Sequence, residues 1–236
     1  AVDNEMKEIW LLGQTVNSYK NGSVKFHDLL RLVNAIPGNF WIRFTSPHPK
    51  DFSDELIKAM AECEKFAHYI NLPVQSGNNA ILKKMGRPYT VGHYKKLVGK
   101  IRKAMPDMAI STDVIVGFPG ETRKQFGDTK KLFEEIRFDM AFISEYSPRP
   151  KTVAAKMFKD DVPHEEKERR KNELNEMLKK NALENNKKLI GKTVKVLNGR
   201  TEGNKPIEID DKYKKDEFIK IKITKANIWS LKGKLL

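Results

Sequence analysis

Short apolar runs alternate with amphipathic stretches through the first 150 or so residues of the chain. Residues 8–12 (EIWLL), 40–45 (FWIRFT), 68–74 (HYINLPV), 108–116 (MAISTDVIV) and 140–146 (MAFISEY) are segments of strand length, rich in β-branched and aromatic side chains. Such runs predict strands buried on both faces, as in a parallel sheet. Helical patterns lie between them. Residues 26–35 (FHDLLRLVNA) are amphipathic, and a second helix opens after Ser53, its N-cap, with acidic residues in the first turn. Residues 89–104 place Leu97, Val98 and Ile101 on one face, and residues 121–136 form a further helix. Strands separated by helices predict βαβ crossovers. Periodicity leaves both a barrel and an open doubly wound sheet possible. Each strand, however, runs into a polar or Gly/Pro cluster: GQTVNSY, TSPHP, PVQSGNN, GFPGET and YSPRP. In α/β barrels the site is built on loops at those strand ends, so five clusters in succession fit a ring of site loops.

Beyond Pro150 the pattern changes. Residues 163–188 read as one long charged helix with Pro163 at its start and a thin apolar stripe of Leu174, Leu178 and Ala182. From Ile190 onward, GKTVKVL, KPIEID, EFIKIKITKAN and WSLKGKLL read as short strands of a small all-β unit. That unit holds 12 Lys and Arg against 6 Asp and Glu, a net +6. The whole chain of 236 residues has a formal charge of +14, from 45 Lys and Arg against 31 Asp and Glu. Such an excess points to a polyanion such as nucleic acid, or to a solvated basic surface. No apolar run reaches the roughly 20 residues that span a bilayer, and residues 1–13 lack a signal-peptide pattern, so a cytoplasmic location with no membrane partner is expected. The chain does not begin with Met, from which a processed, trimmed or truncated start is expected. Cys63 is the only cysteine, which excludes a disulfide framework and any metal site held by several cysteines of this chain.

The segments GQTVNSY (13–19), IRFTSPHP (42–49), INLPVQSGNN (70–79), LKKMGRPYT (82–90), STDVIVGFPGET (111–122) and YSPRPKT (146–152) occur in this order. Together they resemble the methylthiotransferase branch of the radical S-adenosylmethionine (SAM) superfamily, and within it the MiaB-type enzymes. Those add a methylthio group to C2 of an isopentenylated adenosine beside the tRNA anticodon. The sister branches, acting on threonylcarbamoyladenosine or on a ribosomal protein, are less similar at VNSY (16–19), TSPHP (45–49), PVQSGNN (73–79) and Arg149. The likeness runs through residues 8–190, and residues 190–236 are similar to the TRAM RNA-binding domain.

The resemblance implies an α/β fold: a partial, TIM-like parallel radical SAM barrel over residues 1–160 carrying strands two to six. A connecting helix (161–189) and a small all-β TRAM-like domain (190–236) follow. It implies SAM and 4Fe–4S clusters as cofactors, a tRNA anticodon stem-loop as partner and an electron donor for cluster reduction. The family's clusters are held by a three-cysteine domain and a CxxxCxxC loop, and one cysteine cannot supply such ligands. The isolated chain is therefore expected to be inactive, or a non-catalytic basic RNA-binding fragment. An open barrel edge would make it aggregation-prone.

By the same resemblance, Gln14, Gln75, Ser76, Val116, Gly117, Glu121 and Arg149 are candidate SAM contacts, with Val114 and Val116 packing on the adenine. The alternative for GFPGET is a tight turn in which Glu121 helps cap the following helix; for Ser76-Gly77-Asn78 it is an ordinary turn. Arg43 and Arg149 suit a carboxylate, a phosphate or a structural salt bridge. His48 reads as a loop residue and FWIRF as core. Asp113, if it faces inward, needs a partner or a ligand. Lys192, Lys195, Arg200, Lys220, Lys222 and Lys225 are candidate phosphate contacts in the TRAM-like unit. A hydrolase using His48 or Glu121 finds no nucleophile–base pair.

Overall fold

The computed structural model describes residues 6–210 and 212–236. The first half is a parallel sheet in strict chain order. Strand β1 (Glu8–Leu11) and a small hairpin of β2 (Lys20–Asn21) and β3 (Val24–Lys25) lead into helix α1 (Phe26–Ala35). Next come β4 (Trp41–Phe44), α2 (Asp54–Glu62), β5 (Tyr69–Asn71), α3 (Asn79–Lys84) and α4 (Val91–Ala104). Then follow β6 (Ala109–Val116), α5 (Arg123–Ile136), β7 (Met140–Glu145), α6 (Val153–Met157) and the long α7 (His164–Lys187).

β1 pairs with β4 in parallel, and β5, β6 and β7 pair in parallel in that order. A parallel bridge between Ile42 and Phe66 joins the two groups: Ile42 N–H donates to Lys65 O at 2.7 Å and Ala67 N–H to Ile42 O at 3.0 Å. Neighbours in the sheet are thus neighbours in sequence, with no reversal of order. That topology is a barrel segment and not a doubly wound sheet, whose order must switch. Helices α1, α2, α4, α5 and α7 pack on one face. Ile42, Phe44, Ile70, Leu72, Val114 and Val116 share one core with Leu30, Met60, Leu97, Ile101, Leu132 and Phe133 of the helices. Alternation along each strand sends Arg43, Tyr69, Asn71, Ser111, Asp113 and Phe142 to the opposite, inner face.

The helices start where the sequence provides caps. Ser53, Thr90, Thr122 and Thr152 each accept an N–H from the first turn of the helix that follows. Thr122 and Gln125 form a capping box. α7 begins after Pro163 and buries Leu174, Leu178 and Ala182 against the barrel, while Asn181 Nδ2 donates to Phe133 O at 2.9 Å. Its full length contains no apolar stretch able to cross a membrane, nor does any other helix among the described residues. FWIRF is core, with Phe40, Trp41, Ile42, Arg43 and Phe44 all buried.

The C-terminal sheet contains β8 (Thr193–Leu197), β9 (Arg200–Thr201), β10 (Ile207–Ile209), β11 (Ile219–Ala226) and β12 (Leu231–Leu235), ordered β10-β12-β11-β8-β9. Only β10 and β12 run parallel; the other pairs are antiparallel. Val196, Ile207, Ile221, Ile223 and Leu231 form its small core. Gly233 leaves the space needed there, since a Cβ would meet Ile221 Cγ2 at 2.3 Å.

This sheet is seated on the floor of the barrel, at the amino-terminal ends of the parallel strands. Phe218 packs edge-on to Trp41 with centroids 5.0 Å apart, and Leu197 and Ala67 complete the contact. Arg43, fully buried, donates to Glu8 at 2.6 Å and to the carbonyls of Glu202 (2.8 Å) and Thr201 (3.3 Å). Lys205 pairs with Asp139 at 2.7 Å. The carboxyl-terminal strand ends are left at the opposite rim.

Candidate functional site

On its inner face the barrel carries a polar ladder that climbs from Tyr69, at the amino-terminal end of β5, towards that rim. Tyr69 and Ser111 hydroxyls lie 2.9 Å apart, Ser111 Oγ donates to Asn71 Oδ1 at 2.8 Å, and Asn71 Nδ2 donates to Asp113 Oδ2 at 2.8 Å. Asp113 therefore faces inward and is half-buried. Its other carboxylate oxygen accepts no hydrogen bond among the described residues, so a ligand donor can take it.

Gln75 stands immediately above. Its N–H donates to Asp113 O at 2.8 Å and its carbonyl accepts from Ile115 N–H at 3.0 Å, which extends the sheet by one bridge. The backbone there is left-handed, φ 68°. A non-glycine residue in that region is held by its surroundings, and such positions cluster at ligand sites. The bridge fixes the backbone and leaves the side-chain amide unbonded among the described residues.

Arg87 follows α3 at Gly86, whose φ of 68° turns the chain. Its Nε is buried with no partner among the described residues. An uncompensated guanidinium N–H is costly, and a carboxylate is its natural counterpart. Beside it, Tyr89 donates to the carbonyls of Pro73 (3.2 Å) and Val74 (3.3 Å), and burial pushes its pKa up to about 12. His48 lies edge-on to Tyr89 at 5.4 Å; burial, and then the Arg87 charge, push its pKa down. Asn17 clamps the His48 backbone in both directions, at 2.9 and 2.8 Å, and His48 Nδ1 accepts from Lys50 N–H. The ring is thereby employed in its loop.

The sequence profile of the radical SAM superfamily matches residues 1–133. The chain belongs to the radical SAM superfamily. This radical SAM chain is 47% identical over its whole length to a tRNA-2-methylthio-N(6)-dimethylallyladenosine synthase of Clostridium novyi, covering 55% of that protein. It is 44% identical over 98% of its length to a synthase of the same description from Acetivibrio thermocellus, covering 51% of that protein. The chain thus spans about half the length of these curated relatives. Escherichia coli coproporphyrinogen III oxidase, a solved radical SAM enzyme, superposes with a TM-score of 0.60 at 19% identity, over 74% of this chain and 40% of its own. That likeness bears on the fold.

Within the radical SAM barrel the predicted site residues fall into two groups. Gln14, Gln75 and Arg149 stand at carboxyl-terminal strand ends, Gln14 and Arg149 exposed and with side chains that have no partner among the described residues. Val116, Ser76 and Glu121 have other employment. Val116 shares the helix-facing side of β6 with Val114, because both are an even number of residues from Thr112. Neither side chain reaches the inner face, where Ile115 and Asp113 stand instead. Ser76 is fully buried, its hydroxyl accepting Asn78 N–H at 3.2 Å.

Glu121 does not cap α5; Thr122 does. The Glu121 carboxylate is buried, accepts Gly117 N–H at 2.8 Å and pairs with Arg170 of α7 at 2.7 Å. Burial pushes its pKa up, against those two bonds. Gly117 has φ 68°, and a Cβ there would meet Lys167 Cγ at 2.3 Å. Its lack of a side chain admits Lys167, whose ammonium bonds Tyr146 O at 3.0 Å and Asp160 at 2.6 Å. GFPGET is thus the turn on which α7 is clamped. Arg43 is structural and sits at the floor, away from the rim.

The predicted phosphate contacts also separate. Lys220, Lys222 and Lys225 are exposed along β11. Lys220 stands opposite Lys195, and Lys222 opposite Lys234. Like charges facing each other across strands repel and favour an anion. Arg200 bonds Asn204 O at 3.1 Å. Lys192 pairs with Asp107 at 3.5 Å and Lys195 bonds Asn39 at 3.1 Å, so both lie at the junction of sheet and barrel. Sequence reasoning passed over Arg87, although LKKMGRPYT carried it, and left the facing of Asp113 open.

Proposed function

We propose that this chain is the SAM-facing and RNA-gripping portion of a methylthiotransferase that modifies C2 of an isopentenylated adenosine in a tRNA anticodon stem-loop. The observation that carries the reading is the 44–47% identity, over nearly the whole chain, to proteins described as tRNA-2-methylthio-N(6)-dimethylallyladenosine synthases. The rim supports it chemically. Asp113 offers a carboxylate oxygen to ribose hydroxyls, Gln75 an amide that both donates and accepts, and Arg87 an unpartnered guanidinium N–H to the amino-acid carboxylate. Gln14 and Arg149 would close the ring from either side. In this reading Val116 and Glu121 act from behind, Glu121 by holding the turn. When bound beside a reduced 4Fe–4S cluster, SAM supplies a 5′-deoxyadenosyl radical. This chain's share is to orient the nucleoside and exclude water, because Cys63 is its sole cysteine and lies buried in the helix-side core.

The basic stripe of Lys220, Lys222 and Lys225, with Arg200, would position tRNA by its phosphates. C2 is hard to reach in a stacked loop, so the adenosine would have to be flipped out to meet the rim. The full-length protein would draw on an electron donor in the cytoplasm. A non-catalytic RNA-binding role for the isolated chain is favoured by the single cysteine.

Equilibrium dialysis with labelled SAM, and anisotropy with anticodon stem-loops carrying isopentenyladenosine, threonylcarbamoyladenosine or adenosine, test the reading. SAM binding and a preference for the isopentenylated loop are expected. Failure to bind SAM would refute the rim assignment, and a preference for the threonylcarbamoylated loop would move the chain to that branch. Nucleoside mass spectrometry after anaerobic incubation with iron and sulfide should show no methylthio product from the chain alone.

A further inference from the structure

A crevice of about 550 Å³ opens between the floor of the barrel, the last turns of α7 and strand β8. Its walls carry six cations, Arg102, Arg137, Lys188, Lys192, Lys195 and Lys205, against three carboxylates, those of Asp107, Asp139 and Glu202. The carbonyl ends of α4, α5 and α7 converge here, and helix C-termini attract cations. That accounts for part of the charge. Arg102 donates to Ile136 O at 2.5 Å, and Arg137 closes α5 in a left-handed conformation and pairs with Glu184. Two of the carboxylates are occupied, Asp139 by Lys205 at 2.7 Å and Asp107 by Lys192 at 3.5 Å.

A positive remainder is left. Among the described residues the Lys188 ammonium bonds only the Asn185 side chain, at 3.2 Å. Lys195 has a neutral hydrogen-bond partner, Asn39 at 3.1 Å, and lies 3.8 Å from the centroid of the Phe218 ring. Burial pushes the Lys195 pKa down, and the charge of Glu202, the third carboxylate, acts against that shift. Arg137 Nε is buried with no partner among the described residues. Arg102, Lys188 and Lys195, which have no ion-pair partner among the described residues, and the spare Nε of the paired Arg137 favour an anion, and guanidinium and ammonium groups together suit phosphate oxygens. The volume lies within the roughly 300–1,000 Å³ of small-molecule sites, so a nucleotide fits where a lone phosphate would leave most of the space empty.

We propose that this crevice binds the phosphate of one ribonucleotide unit, either free or as a phosphodiester of a bound RNA strand. It is a site separate from the rim, at the other end of the barrel. The RNA form rests on the tRNA reading above; the free-nucleotide form does not.

The test uses the full chain and two double variants of equal charge change. Lys188→Gln/Lys192→Gln alters the crevice, and Lys58→Gln/Lys96→Gln alters exposed lysines on the outer helices. Melting curves check folding, and Lys188→Gln alone serves if the crevice pair is destabilised, since Lys188 holds no element in place. AMP binding by calorimetry should weaken about tenfold or more in the crevice variant and stay unchanged in the control. In the RNA arm, the slope of log affinity for a labelled stem-loop against log salt should fall by about 0.7–0.9, the share of one phosphate contact, in the crevice variant, and remain unchanged in the control. An effect on AMP assigns a free nucleotide, and an effect on RNA alone assigns a phosphodiester. Equal losses in both variants, or no loss in either arm, would overturn the proposal. Because AMP binding does not depend on any modified tRNA, failure of the tRNA reading leaves that arm intact.

Discussion

Arg43 Nη1 reaches 2.8 Å to the backbone carbonyl of Glu202, a residue 159 positions further along the chain. One guanidinium on the inner face of the barrel therefore holds the loop of the C-terminal sheet, while its Nε is held by Glu8 of the neighbouring strand. The rings of Trp10, Trp41 and Tyr69 surround it at 5.1–5.9 Å. Burial pushes its pKa down, Glu8 acts against that shift, and the fork spreads one charge over three acceptors.

Arg43→Met should therefore destabilise the protein by about 2–4 kcal/mol, because the Glu8 carboxylate and two carbonyls lose their donor. Arg43→Lys should recover only part of this, as an ammonium cannot reproduce the fork. Urea unfolding followed by tryptophan fluorescence reads both. A loss below about 0.5 kcal/mol for Arg43→Met would show that the sheet is held by apolar packing alone.

Gly77→Ala should cost about 1–3 kcal/mol, the usual range for overpacking. A Cβ there would stand 2.4 Å from Thr129 Cα and 2.7 Å from Asp128 O, both backbone atoms that cannot swing aside. Thermal unfolding measures the loss. SAM affinity should fall with it, since Gly77 N–H on Thr129 Oγ1 at 2.9 Å anchors the segment that carries Gln75.

Asp113→Asn and Arg87→Gln should each weaken SAM about tenfold or more while leaving the melting midpoint near the wild-type value. Val116→Ala should act the other way, lowering stability with little change in affinity, because its side chain belongs to the helix-side core. Calorimetric titration alongside melting curves separates the two patterns. An Arg87→Gln protein that binds SAM normally would remove Arg87 from the site.

Glu166 links Arg169 and Arg170 at 2.8 and 2.9 Å, and these bonds, Arg169 foremost, hold its pKa at about 2 against an ordinary 4.5. A depressed carboxylate stabilises the fold above its unfolded pKa and loses that contribution as pH falls through the folded one. Stability should thus decline from pH 4.5 towards pH 2, by about 1 kcal/mol after solvent screening. Glu166→Gln should flatten that part of the profile. Glu121, whose pKa is raised, acts in the opposite sense: its ionisation on going up in pH opposes folding. Urea midpoints across the acid range compare the two carboxylates through Glu121→Gln and Glu166→Gln.

The parts of the fold that obey a local rule were legible in the chain. Residues 26–35 form the helix that their spacing predicts, and Ser53 caps where a serine before two acids should. The stripe Leu174, Leu178, Ala182 faces the barrel. Helices α3 and α6 escaped because six and five residues are too few to display a period, although Asn78 and Thr152 were there to cap them. The facing of β6 was unreadable because a polar run, Ser111-Thr112-Asp113, is followed by an apolar one, Val114-Ile115-Val116, and neither alternates. The ion pair of Glu121 was illegible for a different reason: its partner, Arg170, lies 49 positions away. Pairing at that distance leaves no mark on the local sequence. The same holds for Lys192 and Lys195, which read as surface charge until the floor of the barrel is placed against them.

The C-terminal sheet is fixed at one end of the barrel and the rim of strand-end loops stands at the other. Strand β6 runs eight residues between those ends, roughly 26 Å at about 3.3 Å per residue. The molecule is in effect a caliper with one chemically distinct jaw at each end. A molecule the size of SAM can be held by one jaw but cannot bridge them. Whatever touches both must be a long object laid along the helical wall, and its length between the two points of contact is set by a single strand.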